Sequence, residues 1–149
     1  NINQKLNNYF IKKYYLPDLP FKIQKYLNKF ANSSIDISDG LFSDIIKLIN
    51  DQKFGFIINL SKLPISSNLK HYIKKKDHKL LKLISKGDDY QVLFTSSKKY
   101  RSYIKKLSKR INQKITLIGE INNRSKQYRI FNNGKFLKPM NFEGYSHNF

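Results

Sequence analysis

Ile35-Asp36-Ile37-Ser38-Asp39-Gly40-Leu41-Phe42-Ser43-Asp44-Ile45-Ile46 reads as a short strand, a tight turn and the start of a helix. Ile35 and Ile37 alternate with Asp36 and Ser38, which puts the apolar pair on one face of the strand and the polar pair on the other. Asp39-Gly40 is turn chemistry and helix entry at once. Beyond it, Leu41, Ile45, Leu48 and Ile49 recur at helical spacing and form one apolar stripe. Two carboxylates and a hydroxyl thus gather at a strand end, beside the positive end of a helix. That arrangement suits a magnesium ion and a phosphate group.

Outward from this stretch, strands and helices alternate. Pro20 suits the first turn of a helix running to about Asn32, with Ile23, Tyr26, Leu27 and Phe30 on its apolar face. Downstream, the opening helix runs to about Gln52, and Phe56 to Leu60 reads as a buried strand. Leu63-Pro64-Ile65-Ser66 is a turn, followed by helices over 67–76 and 77–85. Lys86-Gly87-Asp88-Asp89 breaks the second of these, and Tyr90 to Thr95 is a strand. A helix is expected from Lys98 to about Asn112, with Tyr100, Tyr103, Ile104, Leu107 and Ile111 inward. A strand over 115–121 follows, then a hairpin around Asn132-Asn133-Gly134. The pattern predicts an α/β or α+β fold, a mixed β-sheet covered by helices. Residues 1–20, with Tyr14-Tyr15, Pro17 and Pro20, read as a connector, as in the C-terminal part of a longer protein. Residues 21–149 form the domain proper.

Length and composition bound the possibilities. The 149 residues make one domain, and 40% hydrophobic with 14% aromatic content is enough for a core and argues against disorder. There is no apolar run of about 18 residues to span a membrane. The first residues are Asn-rich and lack the apolar core of a signal peptide. Zero cysteines excludes disulfides and cysteine-ligated metals. A cytoplasmic protein is expected. The net charge of +19 first suggests a nucleic-acid partner. Yet only four of the 29 basic residues are Arg, the residue that reads bases and phosphates in planar fashion. Lys, Asn and Ile are abundant together and share A/T-rich codons, so genome composition accounts for the charge. The basic surface reads as solvated, and nucleic acid as unlikely.

Acids are scarce, and five of the ten lie within 36–44 and 88–89. For Asp36, Ser38 and Asp39 two readings compete. In one, Asp39 serves only as a helix cap, worth about 1 kcal/mol; in the other, both acids hold magnesium while Ser38 meets a phosphate. Asp44 falls by spacing on the exposed helix face. Gly87 reads as a helix C-cap with solvated acids after it, or as the start of a site, since adjacent carboxylates before a buried strand repel unless a cation or donor is near. His71, His78 and His147 lie in no ligand spacing.

Five short motifs occur in order: Ile35-Asp36-Ile37-Ser38-Asp39-Gly40-Leu41, Leu63-Pro64-Ile65-Ser66, Gly87-Asp88-Asp89-Tyr90-Gln91-Val92-Leu93-Phe94-Thr95, Ile115 to Ile121, and Gly144-Tyr145-Ser146-His147-Asn148-Phe149. Together the chain resembles the C-terminal domain of the thiamine-monophosphate kinases, in the superfamily of aminoimidazole ribonucleotide synthase and selenophosphate synthetase. The resemblance implies transfer of the ATP γ-phosphoryl group to thiamine monophosphate, with several Mg2+ ions and direct in-line transfer. It implies that Asp36 and Asp39 bind magnesium, that Ser38 contacts ATP, and that Asp88 and Phe149 meet the substrate. It also implies a missing N-terminal ATP-binding domain, a homodimer in the complete enzyme, and no activity for these residues alone.

The sequence departs from the family pattern in three places. Asp88 is one methylene shorter than the family glutamate. Lys86 stands where glycine is usual. Asn148 is inserted before the last aromatic, which leaves Tyr145 as a second candidate beside Phe149. Two alternatives remain: another ATP-dependent synthase of the superfamily, and a basic nucleic-acid-binding module. Leu63-Pro64 and the Asp88-Asp89-Tyr90 loop favour the kinase.

Overall fold

A computed structural model describes residues 4–49, 53–73, 77–124 and 127–137. Helices α1 (Gln4–Tyr15) and α2 (Phe21–Leu27) lead into strand β1 (Ala31–Asp36), helix α3 (Leu41–Ile49) and strand β2 (Gly55–Asn59). Helices α4 (Ser67–Ile73) and α5 (Asp77–Ile84) precede β3 (Val92–Ser96) and α6 (Arg101–Arg110). Strands β4 (Gly119–Asn122), β5 (Tyr128–Asn132) and β6 (Lys135–Leu137) complete the order. Short 3-10 turns occupy 60–62 and 98–100.

The mixed α/β character matches the expectation, but the strands divide between two sheets. β1 and β3 form an antiparallel pair. The other four run in the order β4-β2-β5-β6, with β2 parallel to β5 and antiparallel to β4. Each sheet has its own core. Leu41, Phe42, Ile45 and Ile49 of α3 join Leu80, Leu81 and Ile84 of α5 against Phe56, Ile58 and Ile130 of the larger sheet. Phe30, Ile23 and Leu107 form a second cluster beneath β1 and β3, with Phe94, Tyr100, Tyr103 and Ile104 packed against it. Burial of Tyr100, Tyr103 and Ile104 as an inward stripe is as their spacing predicts.

The β1 entry and the β4 strand differ from the expectation, while the hairpin lies where it was expected. Helix α2 ends at Leu27, and β1 begins at Ala31, where a helix was expected to about Asn32. Chain reversal at 28–30 is enforced by Phe30, which turns into the second core at 2% exposure. Of the strand expected over 115–121, β4 takes only 119–121, with the Ile118 carbonyl accepting one further bond from the Asn59 N–H at 2.9 Å. Alternating apolar residues do not make a strand where no neighbouring strand supplies hydrogen bonds. The hairpin falls on Asn133-Gly134, both at positive φ (48° and 80°), the geometry of a type I′ turn.

Candidate active site

Pairing of β1 with β3 does not stop at the strand ends. After the Asp36–Val92 register, the Ile37 N–H donates to the Gln91 carbonyl at 2.9 Å, and the Tyr90 N–H donates back to Ile37 at 2.9 Å. The Asp88 N–H then donates to the Ser38 carbonyl at 3.0 Å. The two acidic motifs, far apart in sequence, therefore lie back to back. Two glycines permit that approach. A Cβ on Gly87 would stand 2.0 Å from the Ser38 carbonyl oxygen, and one on Gly40 would stand 2.5 Å from the Ser85 carbonyl oxygen. Asp88 and Tyr90 adopt φ values of 60° and 49°, left-handed conformations that side chains other than Gly avoid. Strain of this kind persists where the surroundings over-determine the backbone.

Asp44 corrects the sequence reading. Its side chain is wholly buried, not on an exposed helix face. One oxygen, Oδ2, accepts the N–H groups of Ser38, Asp39 and Gly40 at 3.0, 3.1 and 3.2 Å. The other, Oδ1, has no hydrogen-bond partner and lies 3.5 Å from the Lys47 ammonium. Position 44 stands three residues after Leu41 and four before Leu48, so it belongs to the apolar stripe itself. That spacing was the signal that Asp44 points inward. The amides at the helix entry are thus bonded to the protein's own carboxylate.

Asp39 is not the cap. Its half-buried carboxylate pairs with Lys47, and the hydrogen bond to Asp39 is the main cause that raises the Lys47 pKa above its ordinary value. Asp36 is exposed at the end of β1, and Ser38 is half-buried in the loop between them. Across the corner, Asp88 accepts the Tyr90 hydroxyl at 3.1 Å. The chain packed around the Asp89 carboxyl desolvates it and raises its pKa, although the residue as a whole is exposed; the Asp88 charge adds to the rise. Gln91 ties the loop to the connector by donating from Nε2 to the Asp18 carbonyl at 3.0 Å. His71 is exposed. Phe149, Tyr145 and His147 lie outside the described residues, as does the structure of 138–149. Nothing is described of the His78 side chain.

Among the described residues, no group of three or more His, Cys, Asp or Glu could hold a metal ion. The corner still has the donor chemistry magnesium takes. Magnesium is commonly held by one or two carboxylates plus substrate phosphates. Asp39 already draws a cation, the Lys47 ammonium, to its oxygen. The residues present fit part of a magnesium site, with the remaining ligands to come from elsewhere.

No family model matches the chain. The thiamine-monophosphate kinase of Buchnera aphidicola subsp. Schizaphis graminum (strain Sg) is 40% identical over 136 residues, covering 89% of this chain and 41% of the relative. That of Buchnera aphidicola subsp. Acyrthosiphon pisum (strain APS) is 35% identical over 133 residues, with the same shares. Among solved structures, AaThiL complexed with AMPPCP and TMP matches with a TM-score of 0.71 at 27% identity, over 99% of this chain and 43% of that one. The fold places the chain in the class of aminoimidazole ribonucleotide synthase-like domains. Within that class it is homologous to the thiamine-monophosphate kinases and corresponds to their C-terminal part. It spans about two fifths of the length of the curated relatives it matches.

Proposed function

We propose that this chain forms the C-terminal wall of the active site in a kinase that transfers the ATP γ-phosphoryl group to thiamine monophosphate, giving thiamine diphosphate. The observation that carries the reading is the backbone pairing of the Asp36–Asp39 loop with the Asp88–Tyr90 loop. It brings the carboxylates assigned to metal and the carboxylate assigned to substrate onto one corner. The names of the relatives, and the AMPPCP and TMP in the solved structure, supply the substrate class.

Each group has a task in this reading. Asp36 and Asp39 would hold magnesium, and Ser38 would donate its hydroxyl to the nucleotide. Asp88 meets the acceptor together with Phe149 or Tyr145. The magnesium that Asp36 and Asp39 would hold would supply charge neutralisation at the crowded phosphate oxygens, the main electrostatic demand of phosphoryl transfer. The protein's part is to fix the loops so that acceptor and nucleotide meet in line. Lys47 holds Asp39 in place, and a divalent cation bound to Asp39 would take the place of its ammonium.

The rest of the nucleotide and metal site belongs to an N-terminal domain outside this chain, in a cytoplasmic and homodimeric enzyme. Residues 1–20 are the connector to it. Helix α1 has no buried residue, and Ile11, Tyr14, Tyr15, Leu16 and Leu19 are exposed along it and just beyond. A connector covered by a further domain accounts for that apolar surface. In the complete enzyme, Asp36→Asn and Asp39→Asn are each expected to lower kcat by about ten-fold or more and raise the magnesium needed for half-maximal rate. Unchanged kinetics in both variants sinks the assignment.

A further inference from the structure

The three successive amides of Ser38, Asp39 and Gly40 converge on one point at the entry of α3. Such a concavity of N–H groups is a ready anion site. Here it is filled, because the buried Asp44 Oδ2 accepts all three. Those three amides are therefore already bonded and not free for a phosphate. The polar side chains of the same stretch are those of Asp36, which is exposed, and of Ser38 and Asp39, which are half-buried, with Asp39 paired to Lys47.

The geometry points to Asp44 as the positioning residue of the site: its buried carboxylate locks the 38–40 loop so that Ser38 and Asp39 face the magnesium nucleotide. The inference rests on the kinase reading for what the loop holds, and on the hydrogen bonds for how it is held. Asp44 touches neither substrate nor metal. Its effect passes through two routes. Three amides bonded to one oxygen fix the backbone on both sides of Asp39. The Lys47 ammonium lies 3.5 Å from Asp44 Oδ1 and also binds Asp39, so Asp44 keeps Lys47 beside the metal-binding carboxylate. When a divalent cation displaces Lys47 from Asp39, Asp44 offers the ammonium an anion at close range. Without metal, the one Lys47 ammonium thus offsets part of the charge of the two carboxylates beside it, Asp39 and Asp44.

Asp44→Asn tests this in the complete enzyme, because it keeps the shape and one accepting oxygen but removes the charge. Hydrogen exchange of the peptide covering 38–40 is read without metal or nucleotide. It is expected to quicken by about ten-fold, as for a locally loosened segment. The magnesium concentration for half-maximal rate is expected to rise by about ten-fold, the scale for groups that orient metal ligands, with kcat less affected. Asp39→Asn should change the magnesium response but leave the exchange of 38–40 protected. If Asp39→Asn and Asp36→Asn both leave the magnesium response unchanged, the kinase assignment of the corner fails, while the exchange result still decides whether Asp44 holds the loop. Exchange as slow in Asp44→Asn as in the unaltered enzyme overturns the positioning role. So does faster exchange with an unaltered magnesium response where Asp39→Asn changes it. Should Asp44→Asn not fold, Asp44→Glu is read the same two ways: its charge is kept but its longer arm misplaces the amides, and the same outcomes apply.

Discussion

A carboxylate with no solvent contact is tolerated when donors replace the water it has lost. Asp44 has three backbone N–H groups and a nearby ammonium in that role. Asp89 is the opposite case. Desolvation, then the Asp88 charge, raises its pKa from the ordinary 3.8, with no hydrogen-bond donor among the causes to offset the rise. An acid whose folded pKa exceeds its unfolded one binds its proton more tightly when folded, so its ionisation opposes folding. The penalty is full above the raised folded pKa. It fades as pH falls through that value and is gone below the unfolded value near 3.8. Asp89→Asn is therefore expected to raise the melting temperature at neutral pH. The gain should shrink on acidification, as followed by thermal melts across pH. A variant that melts lower at neutral pH contradicts this account.

At the scale of elements, the site is a property of a junction between two loops. β1 and β3 supply the register, and three further backbone bonds carry it through 37–38 and 88–91. Gly87 is where the loops come closest. Its φ of 81° and the 2.0 Å approach to the Ser38 carbonyl leave no room for a side chain. Gly87→Ala is expected to destabilise the fold by about 1–3 kcal/mol, the scale of a left-handed strain. Activity in the complete enzyme should fall more than stability does, since the loops must part. Chemical denaturation beside kinetics checks both, and a fully active variant would show that the junction is dispensable. Most elements were legible from sequence. The α3 stripe, the inward face of α6 and the Asn133-Gly134 turn follow from local periodicity and turn chemistry. The β4 boundary was not, because strand length depends on a partner that local pattern does not name.

At the scale of the whole molecule, the chain spans about two fifths of the length of its curated relatives. Its acidic corner lacks a three-ligand metal group among the described residues, and apolar side chains lie exposed along α1. No described helix is long and apolar enough to cross a membrane. The isolated 149 residues are expected to form no measurable thiamine diphosphate from ATP, magnesium and thiamine monophosphate. Product formation by them alone, followed by chromatography, would remove the need for a further domain. The +19 charge offers the rival of polyanion binding. That rival requires affinity that falls steeply with salt and survives loss of Asp36 and Asp39.

By itself the sequence determined the strand-turn-helix at Asp36–Asp44, the alternation of strands and helices, and the identity of the two acidic motifs. These are local matters of period, turn residues and order along the chain. Tertiary structure alone decided that the motifs meet, because backbone bonds between residues about fifty positions apart follow from sheet register. It also decided the role of Asp44. The sequence reading put this acid on the exposed helix face; the structure buries it, and the loop folded over it supplies the three N–H groups that make its burial stable.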